Sequence, residues 1–237
     1  MKNKIQEIFE GPGGKFVSSP SVIKEKLSFV KAIIYDWDGV FNPGIKGEGE
    51  NGTYAEADSM GMNMLRFGFW LEHDHELPVI AIVSGQKNPS AIHLALREHL
   101  DHVYIKVTDK AKALSHLLKI FNMKAREVAF CFDDILDLPL ASECGVRFLV
   151  NRNASPLFKQ YVLQNKYCDY ITGQQGGDYA IREISELVLA LTGKFNEVVR
   201  ERIAYGDIYR KYIQQRNNQK TNIFTLHNNA IIEYPLP

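Results

Sequence analysis

Acidic residues follow several apolar runs of the sequence, at the points where strands of a sheet would end. Asp36, Asp38 and Gly39 follow the first run, and Asp133, Asp134 and Asp137 follow the fourth; Ser84 and Gly85 come after the second run, and Asp109 and Lys110 after the third. Carboxylates brought together without a cation repel one another, and some must then take up protons. Mg²⁺ relieves that repulsion and typically binds one or two carboxylates, waters and a substrate phosphate. The pattern therefore predicts a magnesium and phosphate site.

The apolar runs that would position these residues are continuous rather than alternating. They span residues 31–35, 78–83, 102–107, 127–132 and 146–150. Continuous hydrophobicity indicates strands buried on both faces, as in a parallel sheet covered by helices. Helix-like stretches lie between the runs, so the sequence predicts a doubly wound, Rossmann-like α/β fold with helices on both faces of the sheet. Ligands of such sheets bind at the carboxyl ends of the strands, where the acidic residues lie.

Three segments fall outside this alternation, and they set the expected boundaries. Residues 1–30 are predicted to form an N-terminal arm, residues 31–192 the catalytic domain, and residues 193–237 a C-terminal helical extension and tail. The glycine-rich stretch 42–57, which contains the turn pair Asn51-Gly52, predicts a β-hairpin inserted after the first strand.

The extension itself has two parts in this interpretation. A single helix is expected over 196–215, followed by a polar, loop-like end. Tyr205, Tyr209 and Tyr212 recur at helical spacing, so we expect this stripe to pack on the core or on another subunit.

Composition narrows the possible functions. The chain has 237 residues, 45% of them hydrophobic, with 28 basic and 28 acidic residues, so it lacks the basic excess that a nucleic-acid-binding protein uses against phosphates. Its three cysteines are an odd number without metal-binding spacing. No run of apolar residues is long enough for a membrane span. We therefore expect a cytoplasmic protein with neither a nucleic acid nor a membrane as partner.

The motifs resemble those of the haloacid dehalogenase superfamily. Its signature is DxDG on the first strand, Ser or Thr on the second, a later Lys and an acidic pair on the fourth, and all four occur here in order. By this resemblance Asp36 is the nucleophile that forms an aspartyl-phosphate. Asp38 is then the general acid and base. Ser84 and Lys110 would stabilise the charge on the phosphoryl group.

The same resemblance implies which residues bind the metal and the substrate. Mg²⁺ would be bound by Asp36, Asp133 and the backbone carbonyl of Asp38, with Asp134 and Asp137 in support. The positions expected to contact the substrate are Gly39, Asn42, Gly85 and Gln86.

The lengths of the intervals narrow the resemblance to phosphatases without a cap domain. The interval between Asp38 and Ser84 has no room for a large cap. Residues 25–191 are similar to the phosphatases of 3-deoxy-D-manno-octulosonate 8-phosphate and their relatives in sialic-acid pathways. Members of that family are tetramers in which the inserted hairpins meet, so a homotetramer with sites at the subunit interfaces is implied. The implied substrate is an octulosonate, nonulosonate or related small sugar phosphate.

Two departures from the family pattern affect this interpretation. Gln86 stands where the family has an Arg that can pair with an acidic sugar, and Phe132 replaces the usual Gly before the acidic pair. A phosphatase with altered specificity is favoured, and a weakly active or non-catalytic binding or scaffold protein is the alternative. A phospho-receiver domain is disfavoured, because its acceptor Asp would lie on the third strand.

Overall fold

The computed structural model describes residues 4–47 and 52–235. The elements in chain order are α1 (Lys4–Glu10), β1 (Lys15–Phe16), α2 (Pro20–Leu27), β2 (Ala32–Asp36), α3 (Glu56–Glu72), β3 (Val79–Val83), α4 (Pro89–Glu98), β4 (His102–Ile105), α5 (Lys110–Phe121), β5 (Val128–Phe132), α6 (Leu138–Ala141), β6 (Val146–Asn151), α7 (Pro156–Gln164), β7 (Tyr170–Gln175), α8 (Ala180–Thr192), α9 (Phe195–Ala204), α10 (Asp207–Asn217), β8 (Asn222–His227) and β9 (Ala230–Glu233). Short 3₁₀ turns occupy Ala125–Glu127 and Ile135–Asp137. Among the described residues, no helix combines the length and the apolar character needed to cross a bilayer.

One nine-stranded sheet organises the described residues, in the order β1-β7-β6-β5-β2-β3-β4-β8-β9. Strands β2 to β8 pair in parallel, whereas β1 and β9 are antiparallel at the two edges. On the central strand β2, Ile33 and Tyr35 belong to one apolar layer and Ile34 to the layer on the opposite face. The doubly wound α/β prediction is confirmed, and all five predicted apolar runs form strands.

The N-terminal arm is joined to the sheet. Strand β1 pairs antiparallel with β7, next to the buried carboxylate of Asp169. That carboxylate lies 2.6 Å from Lys26 Nζ, 3.3 Å from Arg147 Nε and 2.7 Å from the Ser18 hydroxyl, which donates to it. Burial favours protonation of Asp169, but these partners outweigh it and lower its pKa. The ionised Asp169 therefore ties the arm to β6 and β7.

The insertion after β2 differs from the expected hairpin. Its described parts, 42–47 and 52–55, contain no strand, and α3 begins at Glu56. Asn51 of the expected turn lies outside the described residues. Within the described parts the pairing is limited to an isolated parallel bridge between Asn42 and Asp38.

The C-terminal extension corrects two further expectations. The single helix expected over 196–215 is divided into α9 and α10, because Tyr205 adopts a left-handed conformation with φ of 48° and Gly206 follows it. The end expected to be loop-like instead forms β8 and β9, and β8 pairs in parallel with β4. Its alternation of polar and apolar residues suits a strand that is only half-buried.

The tyrosine stripe packs on the core at two of its three positions. Tyr209 and Tyr212 are buried, and their ring centroids lie 5.2 and 4.8 Å from that of Phe67 on α3. Tyr205 is 58% exposed. The expectation that the stripe packs on the core is therefore confirmed for Tyr209 and Tyr212.

Candidate active site

Four elements bring the predicted site residues together at the carboxyl edge of the sheet. Asp36 ends β2, Ser84 and Asp133 directly follow β3 and β5, and Lys110 begins α5. Parallel strands end at the same edge, so these side chains share one cavity of about 280 Å³. Of the predicted site residues, all but Gly39 and Asn42 line it.

Three buried carboxylates form the centre of this cavity. Asp36, Asp133 and Asp137 each offer an oxygen atom, and these atoms lie within 4.8 Å of one another. Lys110 Nζ donates to Asp36 Oδ1 at 2.5 Å and also to Asp137 Oδ1. The sequence placed Asp137 in a supporting role, and the structure puts its carboxylate within the cluster.

The burial of these groups shifts their pKa values strongly. Loss of hydration and the charge of Asp137 raise the pKa of Asp36 well above its usual value, against the attraction of Lys110. The same two causes raise the pKa of Asp133 to about 7. Burial lowers the pKa of Lys110, but the charges of Asp36 and Asp137 outweigh burial, and the net shift is upward. The cluster therefore favours additional positive charge, and its hard oxygen donors fit Mg²⁺.

Asp137 also shapes the loop that carries the acidic pair. Its Oδ2 accepts hydrogen bonds from the backbone N–H groups of Asp134, at 3.1 Å, and Asp133, at 3.4 Å. Asp134 accepts from the N–H of Ile135 at 2.8 Å. These local bonds fix the direction in which Asp133 leaves the strand.

Asp38 and Ser84 share a hydrogen-bond partner, Asn88, that the strand-end pattern does not indicate. Asn88 Nδ2 donates to Asp38 Oδ2 at 2.9 Å and to Ser84 Oγ at 2.7 Å. Lys46 Nζ lies 2.5 Å from the same oxygen of Asp38. The carboxylate of Asp38 is thus held apart from the buried cluster, between an amide and an ammonium group.

Gly39 and Asn42 build the turn after β2 and do not line the main cavity. Gly39 has a φ of 86°, and a Cβ there would lie 2.0 Å from Asp133 Oδ2, so only glycine fits. Asn42 is buried; its Nδ2 donates to the Trp37 carbonyl at 3.3 Å and its Oδ1 accepts from the Gly44 N–H at 2.8 Å. The structure uses the Asn42 amide for the turn itself.

Known proteins share this arrangement of elements. No family model matches the sequence. The chain is 28% identical over 181 residues to the 3-deoxy-D-manno-octulosonate 8-phosphate phosphatase of Haemophilus influenzae, covering 73% of this chain and 89% of that protein. The enzyme of the same name from Escherichia coli K12 is 29% identical over 176 residues, covering 73% and 86%. A protein of Legionella pneumophila, assigned to the haloacid dehalogenase superfamily (subfamily III A), superposes with a TM-score of 0.63 at 26% identity, covering 77% of this chain and 94% of that one.

In sequence and in fold, this chain resembles proteins of the haloacid dehalogenase superfamily. It resembles the octulosonate phosphatases, which are phosphoric monoester hydrolases. The structure of the octulosonate phosphatase of Moraxella catarrhalis, in complex with magnesium, phosphate and its sugar, shares this fold with a TM-score of 0.61 at 24% identity over 75% of this chain and 96% of that one.

The cavity and its surroundings also contain residues that the strand-end pattern does not reveal. Arg152, which lines the cavity and is 35% exposed, forms an ion pair with Asp133. It directly follows β6, the strand formed by the fifth predicted apolar run, so the end of that run is the sequence signal that could have identified it. Asn88 and Lys46 lie on loops away from the strand ends, and nothing in the sequence marked them.

Proposed function

We propose that this chain is a Mg²⁺-dependent phosphatase that hydrolyses a small sugar phosphate through an aspartyl-phosphate at Asp36. The observation that carries the proposal is the buried cluster of Asp36, Asp133 and Asp137, bridged by Lys110 at the sheet edge. Asp36 is the nucleophile that the resemblance implies, and it supports the proposal that this residue ends β2 and lines the cavity.

The chemistry would proceed in two displacements. A carboxylate oxygen of Asp36 attacks phosphorus, and the bond between phosphorus and the sugar oxygen breaks while Asp38 gives that oxygen a proton. Asp38 then removes a proton from water, whose oxygen attacks the phosphorus and releases Asp36 and inorganic phosphate. The Ser84 hydroxyl and Lys110 ammonium stabilise charge on the phosphoryl oxygens in both steps.

The metal would be held by the buried carboxylates. Asp36 and Asp133 are the proposed ligands, together with the backbone carbonyl of Asp38, and the Asp137 oxygen lies close enough to support them. A bound Mg²⁺ would neutralise phosphoryl charge there. Lys110, which donates to Asp36 and Asp137, would place a second positive charge beside the same carboxylates.

The proposed substrate is an octulosonate, nonulosonate or other small sugar phosphate. The named relatives act on octulosonate 8-phosphate. Gln86 is exposed and lines the cavity without charge, while Arg152 contributes a guanidinium group to the same cavity. The neutral Gln86, where the family pattern has an Arg, supports a specificity different from that of the relatives.

The alternative of a non-catalytic scaffold rested partly on Phe132, and the structure places this residue in the core. Its ring is fully buried and stacks on Phe130, with ring centroids 5.6 Å apart. Because Phe132 belongs to the apolar layer that contains Phe130 and Val83, its side chain does not line the cavity. This placement favours the enzyme over the scaffold.

A homotetramer in the cytoplasm completes the proposal. Ile45, Ile135 and Leu136 are 64%, 62% and 71% exposed, and they are carried by the loops around the cavity, so a neighbouring subunit would remove apolar surface from water there. The described cysteines are buried and unpaired, which suits a reducing compartment. Light scattering during size-exclusion chromatography measures the assembly directly, and a monomer would contradict this part of the proposal.

Phosphate release from a panel of sugar phosphates tests the function. The panel includes octulosonate and nonulosonate phosphates, assayed with Mg²⁺ or with EDTA. We expect Mg²⁺-dependent release that Asp36→Asn abolishes. Asp109→Asn is the matched control, because Asp109 also follows a strand but pairs with Lys112 and does not line the cavity. A folded wild-type protein that releases no phosphate from any member would overturn the proposal.

A further inference from the structure

Asn88 joins two residues that carry different parts of the proposed chemistry. Its side chain is buried, and its Nδ2 lies 2.7 Å from Ser84 Oγ and 2.9 Å from Asp38 Oδ2. A carboxamide nitrogen carries two hydrogens, so it can donate one to each partner at the same time. The two partners thereby acquire a fixed relative position.

Asn88 directly precedes α4, but its side chain does not cap that helix. Asn88 is the N-cap residue, and Pro89 occupies the first turn. Asn is favoured at N-caps because its side-chain oxygen normally accepts a hydrogen bond from the first turn. Here the side chain makes no cap hydrogen bond; only the backbone carbonyl accepts, from the N–H groups of Ala91 at 3.1 Å and Ile92 at 3.3 Å. The side-chain amide donates hydrogen bonds to Ser84 and Asp38 instead.

The bond to Ser84 determines where the serine hydrogen can point. Ser84 Oγ accepts from Asn88 Nδ2 and also from the backbone N–H of Gln86 at 3.1 Å. A hydroxyl oxygen has two acceptor lone pairs and one hydrogen. With both lone pairs occupied, the hydrogen is left free to donate, and Ser84 lines the cavity in which the phosphate would lie.

The bond to Asp38 involves only one of its two carboxylate oxygens, and no hydrogen bond to the other is made by the described residues. Oδ2 receives Asn88 and Lys46, and the Lys46 side chain is 53% exposed whereas Asn88 is buried. Asn88 is therefore the more rigid of the two partners. It holds Oδ2, so that Oδ1 is the oxygen available for proton transfer.

We propose that Asn88 is a positioning residue of the phosphatase, which directs the Ser84 hydroxyl toward the phosphate and the free oxygen of Asp38 toward the leaving group. This role rests on the proposed function. The role has two parts that can be measured independently. We call the positioning of Asp38 for proton transfer the proton-transfer arm, and the positioning of Ser84 for contact with the phosphate the phosphate-binding arm.

The proton-transfer arm is tested with two leaving groups. We expect Asn88→Ala to lower kcat for a sugar phosphate by about 10- to 100-fold, because an alkoxide must be protonated as it leaves. For p-nitrophenyl phosphate, whose leaving group needs little protonation, the loss should be clearly smaller, because only the contributions that both substrates share, the Ser84 contact and the activation of water by Asp38, are weakened. A purely structural role would lower both rates equally, and that result would overturn this arm.

Two further variants separate positioning from packing. Asn88→Asp keeps the shape of the side chain, but its carboxylate cannot donate a hydrogen bond. Its kcat for the sugar phosphate should therefore fall at least as far as that of Asn88→Ala. Activity near that of the wild type would show that Asn88 merely fills space. Ser155→Ala is the matched control, since Ser155 is likewise an N-cap residue before a proline, makes no side-chain cap bond and does not line the cavity. We expect it to leave both rates unchanged.

The phosphate-binding arm is measured without turnover, by calorimetry with orthovanadate and Mg²⁺. Asn88→Ala should weaken vanadate binding by about five-fold, the effect of one hydrogen bond. Adding Asn88→Ala to Ser84→Ala should weaken it no further, because both changes remove the same contact. Unchanged vanadate affinity in Asn88→Ala would overturn this arm alone. A wild-type protein that binds no vanadate would overturn the proposed function and this role together.

Discussion

The Asp58 carboxylate on α3 caps the first turn of α8, where its Oδ1 accepts the backbone N–H of Arg182 at 2.9 Å. The N-cap residue of α8, Tyr179, has a φ of 68° and makes no side-chain cap bond of its own. Asp58 is fully buried, and its Oδ2 has no hydrogen-bond partner among the described residues. Burial raises the pKa of Asp58 to about 6, against the hydrogen bonds from the helix.

This relationship predicts how stability depends on pH. Because the folded-state pKa of Asp58 lies above its unfolded value of 3.8, its contribution to stability is full below that pH and is lost as pH rises through about 6. The Asp58→Asn variant keeps an acceptor oxygen at this position and does not titrate. We expect the free energy of unfolding of the wild type to fall relative to the variant between pH 4 and 7, by at most about 1.4 kcal/mol per pH unit. Urea denaturation across this range measures the difference, and parallel profiles would contradict the prediction.

Asp169 predicts the opposite dependence on pH. Its pKa is lowered in the folded protein, so the stability it contributes is present above its unfolded pKa and is lost as pH falls through the folded value. Asp169→Asn should lower the free energy of unfolding by about 1 to 3 kcal/mol at pH 7, and the gap should close in acid. Glu127→Gln is the control, because the partner of Glu127, Lys31, is 59% exposed and such pairs contribute at most about 1 kcal/mol. Equal effects of the two changes would refute the assignment.

Gly176 is predicted to matter for turnover through its contact with the turn after β2. A Cβ at this position would lie 2.1 Å from the Gly39 carbonyl oxygen and 2.7 Å from that of Asn42. Gly176→Ala must therefore displace the turn that carries Asp38, and a displacement of about 1 Å can cost about 100-fold in rate. We expect kcat of Gly176→Ala to fall by about ten-fold or more. Gly206→Ala should have no effect, because a Cβ at Gly206 would meet no atom within 4 Å. Steady-state kinetics on the best substrate of the panel would show this, and equal rates would exclude the contact.

The strand β8 is expected to stabilise the fold. Phe224 is buried on β8 and stacks on Tyr104 of β4, with ring centroids 5.4 Å apart. Phe224→Ala should lower the free energy of unfolding by about 3 kcal/mol, as for other buried aromatic residues. Ile232 on β9 is 43% exposed, so Ile232→Ala should change it by less than about 1 kcal/mol. If both variants unfolded at the same denaturant concentration, β8 would contribute no more than the exposed strand beside it.

The sequence predicted the central strands and most of the candidate site because both depend on local patterns. Strands buried on two faces are continuously apolar, and the residues that follow them meet at one edge. Strands β1, β7, β8 and β9 were not predicted. Each is short or contains polar residues, so its sequence lacks the continuous apolar pattern of a strand buried on two faces. Asn88 and Lys46 were missed for the same reason: their contacts with Asp38 are made by loops whose path the sequence pattern does not specify.

The pairing of β4 with β8 sets an order of events during synthesis. His102 lies opposite Asn222, so the ribosome must make all of α5 to α10 before β4 can receive its outer neighbour. Until then β4 is an open parallel edge, which can pair with another nascent chain. The growing polypeptide therefore passes through an interval in which β4 can pair with β3 on one side but has no neighbour on the other.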